Sequence, residues 1–265
     1  MAVHGALIAA SVPTVSYAVE RSIATITLDS PANRNALSAE LVAALTAALA
    51  TATADDSVRA IVVTHTGSTF CSGNDLREAS TANGAYDSTR RLVDLLARII
   101  EAPKPVIARV DGHVRAGGIG LVEACDIAIG STATTFAFTE VRLGLAPAVI
   151  SLTTLPRMQA RAASRYLLTG EVVDGRTAAD VGLLTECADD LEAAMTRVLA
   201  ALRLAAPGGL AATKATVTAS MRAQFAERAD QLQQLSAALF ASEQAAEGMQ
   251  AFLQKRPPDW VESPR

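Results

Sequence analysis

Two glycine-containing segments have the residue types that stabilise a developing negative charge. One covers residues 68–76, and the other covers residues 111–120 and runs into a helix-forming stretch. Glycines at the entrance to a helix leave backbone N–H groups uncovered, with the positive end of the helix dipole behind them. If the two segments face each other, a carbonyl oxygen held between them would be stabilised as an enolate, as in an oxyanion hole. A second interpretation stays open, in which Gly117 and Gly118 only let a helix pack closely on a sheet.

Glu140 is a carboxyl group that could transfer a proton if its surroundings are apolar. Phe136 and Phe138 precede it and Leu143 follows it. Apolar surroundings of this kind raise the pKa of a carboxyl group towards neutral pH, where the group can both accept and return a proton. The alternative is a surface glutamate that pairs with Arg142.

Composition and spacing disfavour several other kinds of site. A formal charge of −4, from 23 basic and 27 acidic residues, gives no electrostatic footprint for nucleic acid. The dinucleotide fingerprint fails because Gly118-Ile119-Gly120 is followed three residues on by Glu123 rather than by glycine. His113 has no serine or cysteine partner at a recognisable nucleophile elbow, which disfavours a hydrolase triad.

The cysteines indicate a reducing compartment. They are odd in number and widely separated, and they form no C-x-x-C pair, which argues against a disulfide framework and against a zinc site. We therefore expect no metal and a cytoplasmic protein. No segment is an apolar stretch of membrane length, and residues 1–13 are expected to form a loose extension. The cysteines are Cys71, Cys125 and Cys187.

The remaining pattern predicts strands and helices that would position these segments. Ser38 is a predicted N-cap for a helix with leucines every four residues, and a second amphipathic helix must end before Pro103. From about Val149 onward the pattern predicts almost only helices. Alternating or continuous apolar runs predict strands at 15–19, 23–28, 60–64, 105–110, 126–129 and 135–138.

A series of short motifs runs through the whole sequence, each weak alone and specific in combination. By these motifs and their order, the chain resembles the enoyl-CoA hydratase/isomerase (crotonase) superfamily over about residues 15–260. The motifs are Pro31-Ala-Asn-Arg-Asn-Ala-Leu37, Phe70-Cys-Ser-Gly-Asn-Asp-Leu76, Asp111-Gly112 with Ala116-Gly-Gly118, Ala124-Cys-Asp-Ile-Ala-Ile129, Thr139-Glu-Val-Arg-Leu-Gly-Leu-Ala-Pro147, Leu167-Leu-Thr-Gly170, Ala178-Ala-Asp-Val-Gly-Leu183 and Glu247-Gly-Met-Gln-Ala-Phe252.

The resemblance implies an α/β fold, the crotonase-like spiral of ββα repeats followed by a C-terminal helical trimerisation region. We place the spiral core, with the CoA and catalytic site, at residues 1–195 and the oligomerisation region at residues 196–265. The resemblance also implies an acyl-CoA thioester substrate, with coenzyme A as part of the substrate and no tightly bound cofactor. A homotrimer or a dimer of trimers is expected, with neither nucleic acid nor membrane as a partner.

The resemblance also assigns roles to individual residues. It implies oxyanion-hole amides at Asn74 and Gly117 and a catalytic carboxylate at Glu140. The implied CoA-binding residues lie in two loops and at the C-terminal helix. They are Asn33, Arg34, Ala36, Ser72, Gly73, Asn74, Asp75, Leu76, Gly117 and Lys255.

The resemblance includes one departure from the pattern of hydratases. Hydratases of the family typically carry two glutamates; the first position falls on Gly120 here and the second on Glu140. Glu123 lies one helical turn beyond Gly120, where it would either supply the missing carboxylate or serve as a subunit contact or solvated residue. We place an enoyl-CoA hydratase first. The alternatives are a double-bond isomerase that uses Glu140 alone and a catalytically silent acyl-CoA-binding scaffold.

Overall fold

The computed structural model describes residues 14–79 and 84–262. The extension predicted at residues 1–13 lies outside the described residues. Mostly parallel strands alternate with helices, so the predicted α/β class is confirmed. No helix in the described ranges is long and apolar enough to cross a membrane.

The strands form two sheets. In the larger sheet the order is β1-β2-β3-β5-β7-β10, and in the smaller it is β4-β6-β8-β9. Only the β1–β2 and β8–β9 pairs are antiparallel, and the other neighbouring strands run parallel. The strands are β1 (Val15–Glu20), β2 (Ile23–Leu28), β3 (Ala60–His65), β4 (Thr69–Cys71), β5 (Val106–Val110), β6 (His113–Arg115), β7 (Ile127–Ser131), β8 (Thr135–Ala137), β9 (Val173–Asp174) and β10 (Glu186–Ala188).

Helices connect the strands and form most of the C-terminal part of the chain. The predicted N-cap is present, since the Ser38 hydroxyl accepts a hydrogen bond from the Leu41 N–H at 3.2 Å. The helices are α1 (Ala39–Ala54), α2 (Leu76–Ala79), α3 (Gly84–Glu101), α4 (Gly117–Ala124), α5 (Ser151–Thr154), α6 (Ala160–Thr169), α7 (Gly175–Val181), α8 (Leu191–Leu204), α9 (Pro207–Val217), α10 (Ala219–Phe240) and α11 (Glu243–Gln254).

Side chains are buried on both faces of the larger sheet, which explains its continuous apolar strands. Successive side chains of a strand point to opposite faces. In β3, Ile61 and Val63 belong to the main core, which also contains residues of α1 and α3. Val62 belongs to a smaller cluster on the other face, together with Leu191 and Met195 of α8.

The prediction of almost only helices after Val149 is largely right, and two short strands are the exceptions in the described residues. β9 pairs with β8, and β10 pairs with β7 at the edge of the larger sheet. Two other strands, β4 and β6, lie where the sequence indicated only loops. All four are two or three residues long, which is too short for a periodic pattern to reveal.

Candidate active site

A cavity of about 700 Å³ lies beside the smaller sheet. Because β4, β6 and β8 are parallel neighbours, the loops that follow them leave the same edge of the sheet. Those loops and the loop after β2 form one side of the cavity, and residues of α3, α10 and α11 form the other. The predicted Asn74, Gly117 and Glu140 all line this cavity.

Backbone hydrogen bonds fix the loop after β2 to the loop after β4. Leu37 N–H donates to the Gly73 carbonyl at 2.8 Å, and Ser72 N–H donates to the Arg34 carbonyl at 3.1 Å. The Asn35 side chain is fully buried and donates to the carbonyls of Thr66 and Thr69. This residue holds the loop from behind, so the cavity wall is ordered before any ligand arrives.

The loops after β4 and β6 approach each other closely at their glycines. A Cβ on Gly73 would lie 2.8 Å from the Ala116 Cβ and 3.3 Å from the Gly117 nitrogen, and Gly73 has a φ of +93°. A Cβ on Gly117 would lie 3.3 Å from Asn74 Oδ1. The facing segments that the sequence analysis required are therefore present.

Ala116 directs the first amide of α4 at the junction. It is the residue before the helix and has φ 46° and ψ −123°, a conformation that strains a residue with a side chain. Gly117 begins α4, so its N–H has no carbonyl one turn earlier in the helix to bind. Strain at a helix entrance that lines a cavity is typical of a functional backbone position.

Glu140 is buried in the wall of the cavity. It lies in a 3-10 turn (Thr139–Leu143) directly after β8, and it is 8% exposed. Its backbone carbonyl accepts the Leu145 N–H at 2.9 Å. Its Oε2 has no hydrogen-bond partner among the described residues. Burial raises the pKa of Glu140 to about 7, against a smaller lowering effect of a hydrogen bond between the carboxyl group and the residue's own backbone.

The alternative interpretation, a surface glutamate that pairs with Arg142, is wrong. Arg142 is exposed and donates to the carbonyl of Thr169 through Nε and Nη2 at 3.4 and 3.3 Å. Among the described residues no ion pair holds the Glu140 carboxylate in its charged form. Its carboxyl group is available to exchange a proton near neutral pH.

The space beside Gly120 is occupied by an apolar side chain. A Cβ on Gly120 would lie 2.6 Å from Ile150 Cγ2 and 3.4 Å from Leu96 Cδ1. Ile150 lines the cavity, whereas Gly120 is buried behind it. A carboxylate side chain at position 120 would therefore have to displace Ile150.

Glu123 does not supply the missing carboxylate. It is 3% exposed and lies beside a separate pocket of about 30 Å³, next to Arg157. The expectation of a solvated residue is therefore wrong. Desolvation raises the pKa of Glu123 well above its ordinary value, and Arg157 lowers it only in part. Arg157 donates to the carbonyls of Glu123 and Cys125, at the end of α4.

Most of the predicted CoA-binding residues line the cavity, but Gly73 and Lys255 do not. Gly73 lies directly behind the wall, where it contacts Ala116. Lys255 ends α11 with a positive φ of 55°, and the next residue, Arg256, lines the cavity in its place. The predicted residues in the wall are Asn33, Arg34, Ala36, Ser72, Asn74, Asp75, Leu76 and Gly117.

Sequence reasoning missed the wall contributed by residues distant along the chain. It also missed Val149 and Ile150, which lie just after the motif that contains Glu140. That motif indicated the family but assigned no role to the side chains that follow it. Thr89 of α3 and Ser236 of α10 gave no signal, because only the tertiary fold brings these helices to the cavity.

Comparison with known proteins identifies the family. A model of the enoyl-CoA hydratase/isomerase family matches residues 18–263. The chain belongs to the enoyl-CoA hydratase/isomerase family. The crystal structure of an enoyl-CoA hydratase from Mycobacterium avium is 48% identical in sequence and superposes with a TM-score of 0.89, covering 94% of this chain and 99% of that one.

Two curated relatives extend the comparison. The 2,3-dehydroadipyl-CoA hydratase of Escherichia coli K12 is 31% identical over 91% of this chain and 96% of its own length. The mitochondrial enoyl-CoA hydratase domain-containing protein 3 of Danio rerio is 33% identical over 90% of this chain and 84% of its own. The predicted crotonase fold is thus confirmed, and the enoyl-CoA hydratase/isomerase family acts on acyl-CoA thioesters.

Proposed function

We propose that this chain shifts the double bond of an enoyl-CoA thioester, with Glu140 as its acid and base. The observation that carries the proposal has two parts. Glu140 is a deeply buried carboxyl group in the cavity wall, and the apolar Ile150 occupies the space beside Gly120, where a second carboxylate would lie. Moving a double bond needs one base that takes a proton and returns it elsewhere. Adding water also needs a group that positions the nucleophile.

The proposed reaction starts from a 3-enoyl-CoA. The Glu140 carboxylate removes a proton from carbon 2, and the electrons move onto the thioester oxygen to form a dienolate. The N–H groups of Asn74 and Gly117 stabilise that oxygen, supported by the N-terminus of α4. Protonated Glu140 then returns the proton to carbon 4, which gives the 2-enoyl-CoA and restores the carboxylate.

The CoA moiety is proposed to lie along the loops after β2 and β4. Asn33, Arg34 and Ser72 line this end of the cavity. Arginine side chains and backbone N–H groups are suitable partners for phosphate and for the pantetheine amides. Asp75, the other carboxylate in the cavity wall, accepts the Arg77 N–H at 2.9 Å and orders its own loop. Coenzyme A enters and leaves with the substrate.

Hydration is the second candidate, favoured by the names of the relatives. The Mycobacterium avium and Escherichia coli proteins are both named as hydratases. The same enolate-stabilising amides would serve that reaction.

The family resemblance also supports two other proposals. The first is a cytoplasmic location. The second is a homotrimer or a dimer of trimers, and light scattering on purified protein would test this oligomeric state.

The deciding experiment offers purified protein 3-enoyl-CoA and 2-enoyl-CoA separately. Isomerisation creates a conjugated thioester from the first substrate, and hydration removes the conjugation of the second. We expect rapid conjugation of 3-enoyl-CoA and slow loss of 2-enoyl-CoA. The opposite ratio contradicts the proposal in favour of hydration. If neither substrate reacts while CoA esters bind, the chain is a silent acyl-CoA-binding scaffold.

A further inference from the structure

We propose that Ile150 is the residue that selects proton transfer over water addition, by occupying the place at which a water-holding group would stand. This inference rests on the proposed isomerase function and goes beyond it by naming the residue that determines the reaction. The observations that carry it are the contact between Ile150 and Gly120, the burial of Ile150 and its fixed backbone.

Ile150 separates Gly120 of α4 from the cavity. Its Cγ2 lies 2.6 Å from an ideal Cβ on Gly120, and its Cβ lies 3.1 Å from that point. Real Cβ atoms do not approach other carbon atoms to 2.6 Å, so a side chain at position 120 would require Ile150 to shift. The absence of a side chain at Gly120 leaves the space that Ile150 fills, and Ile150 packs against α4 at this residue.

Ile150 is also held firmly in this position. The buried Thr153 hydroxyl lies 3.2 Å from the Gly120 carbonyl and 3.1 Å from the Ile150 carbonyl. Thr154 N–H donates to the same Ile150 carbonyl at 2.9 Å. A β-branched side chain has few rotamers, so Ile150 cannot turn aside without loss of packing. The space beside Gly120 is therefore filled by a well-held side chain.

Several residues that line the cavity with Ile150 are apolar, and the polar oxygens left without a hydrogen-bond partner there, among the described residues, are those of Asn74 and Glu140. The apolar residues include Leu92, Leu145 and Val149. The hydroxyl of Thr89 is already within hydrogen-bond distance of the carbonyls of Ala85 and Tyr86, at 2.8 and 3.0 Å. A water molecule needs about two to four polar partners to be held in a buried site. At Ile150 the wall offers no side-chain polar atom to a water molecule, which favours return of the proton over attack by water.

The test measures the ratio of hydration to isomerisation in variants of the full chain. Incorporation of ¹⁸O from labelled water reports hydration of 2-enoyl-CoA, and conjugation of 3-enoyl-CoA reports isomerisation. The double variant Ile150→Ala with Gly120→Glu places a carboxylate in the vacated space. We expect its ratio to rise at least about 100-fold, within the range of a well-placed acid or base.

Two further variants keep the test decisive. Ile150→Thr keeps the branched shape and adds one hydroxyl; we expect a rise of about tenfold in the ratio, below the about 100-fold gain typical of a full acid or base. If the thermal transition shows that the double variant does not fold, the result for Ile150→Thr serves as the test instead. Val149→Ala is the matched control, because Val149 and Ile150 are both 3% exposed and line the same cavity, but Ile150 is the one in contact with Gly120.

The outcomes separate the two proposals. If the wild type isomerises and the ratio stays unchanged in the folded Ile150 variants, the inference on Ile150 is overturned and the proposed function stands. An equal rise in Val149→Ala also overturns the inference, since any enlargement of the cavity would then suffice. If the wild type hydrates quickly with Ile150 in place, both proposals are overturned.

Discussion

Glu140 and Glu123 are both buried carboxyl groups, yet their surroundings differ. Burial raises the pKa of each, to about 7 for Glu140 and well above the ordinary value for Glu123. Each has an oxygen without a hydrogen-bond partner in the described part of the chain. Glu140 lines a cavity of about 700 Å³, whereas Glu123 lies beside one of about 30 Å³. A raised pKa therefore does not identify a catalytic group unless a substrate can reach it.

Turnover should separate the two glutamates by the largest factor. Glu140→Gln removes the proposed base and keeps the shape, so we expect turnover of 3-enoyl-CoA to fall about 10²- to 10⁴-fold. Glu123→Gln is the matched control, with an expected change of less than about threefold, as for a residue that contacts no reacting atom. Steady-state kinetics on both variants checks this. Equal losses in the two would break the comparison.

The free energy of unfolding of Glu140→Gln and of Glu123→Gln, each relative to wild type, should change with pH in the same direction. The pKa of Glu140 is raised in the folded state from 4.5 to about 7, so its favourable contribution is complete below about pH 4.5 and is lost as pH rises through 7. Glutamine avoids that loss. The free energy of unfolding of Glu140→Gln, relative to wild type, should increase by up to about 3 kcal/mol between pH 4 and pH 8.5.

Glu123→Gln should show an increase of the same sign over that pH range, because the folded-state pKa of Glu123 is also raised. Urea unfolding of the two variants and wild type at both pH values measures the differences. A relative stability that falls with pH in either variant would contradict the assigned burial.

The pH dependence of the rate should follow Glu140 alone. Its carboxylate is the active form, so kcat/KM should rise through an inflection near pH 7. Between pH 8 and pH 6 we expect a loss of about tenfold, since kcat/KM reports the ionisation of the free enzyme. Glu123→Gln should leave the inflection where it is. An inflection that moves with Glu123 would show that the two carboxyl groups are coupled.

The smallest effect is expected at Arg142. Its guanidinium donates to the Thr169 carbonyl instead of pairing with Glu140. Arg142→Gln should therefore shift the inflection of the rate profile by less than about 0.3 pH units, as for a screened, exposed charge. A larger downward or upward shift would show that Arg142 sets the pKa of Glu140 after all.

Much of this architecture was predictable from local sequence patterns. The strands β1 and β2, the Ser38 cap and the continuous apolar run of β3 each have a signal within a few residues. The short strands β9 and β10 have no such signal, because they are held by pairing to strands about 40 or 60 residues away along the chain.

The candidate site also combines features with a local sequence signal and features that depend on tertiary contacts. The glycine-rich junctions and the apolar residues around Glu140 are visible in the sequence, whereas the specific roles of Asn74, Gly117 and Glu140 were implied by the family resemblance. Glu123 was misjudged, since a charged residue in an amphipathic helix is normally solvated. The contact of Ile150 with Gly120 joins two elements through tertiary packing, and no spacing rule describes it.

The central claim is that one base, Glu140, forms an enolate held by the amides of Asn74 and Gly117. The most direct test follows deuterium entering carbon 2 of a saturated acyl-CoA in D₂O by NMR, which requires neither hydration nor isomerisation. Wild type and Glu123→Gln should exchange at equal rates, and Glu140→Gln should be at least about 100-fold slower. Exchange at the wild-type rate in Glu140→Gln would contradict the claim.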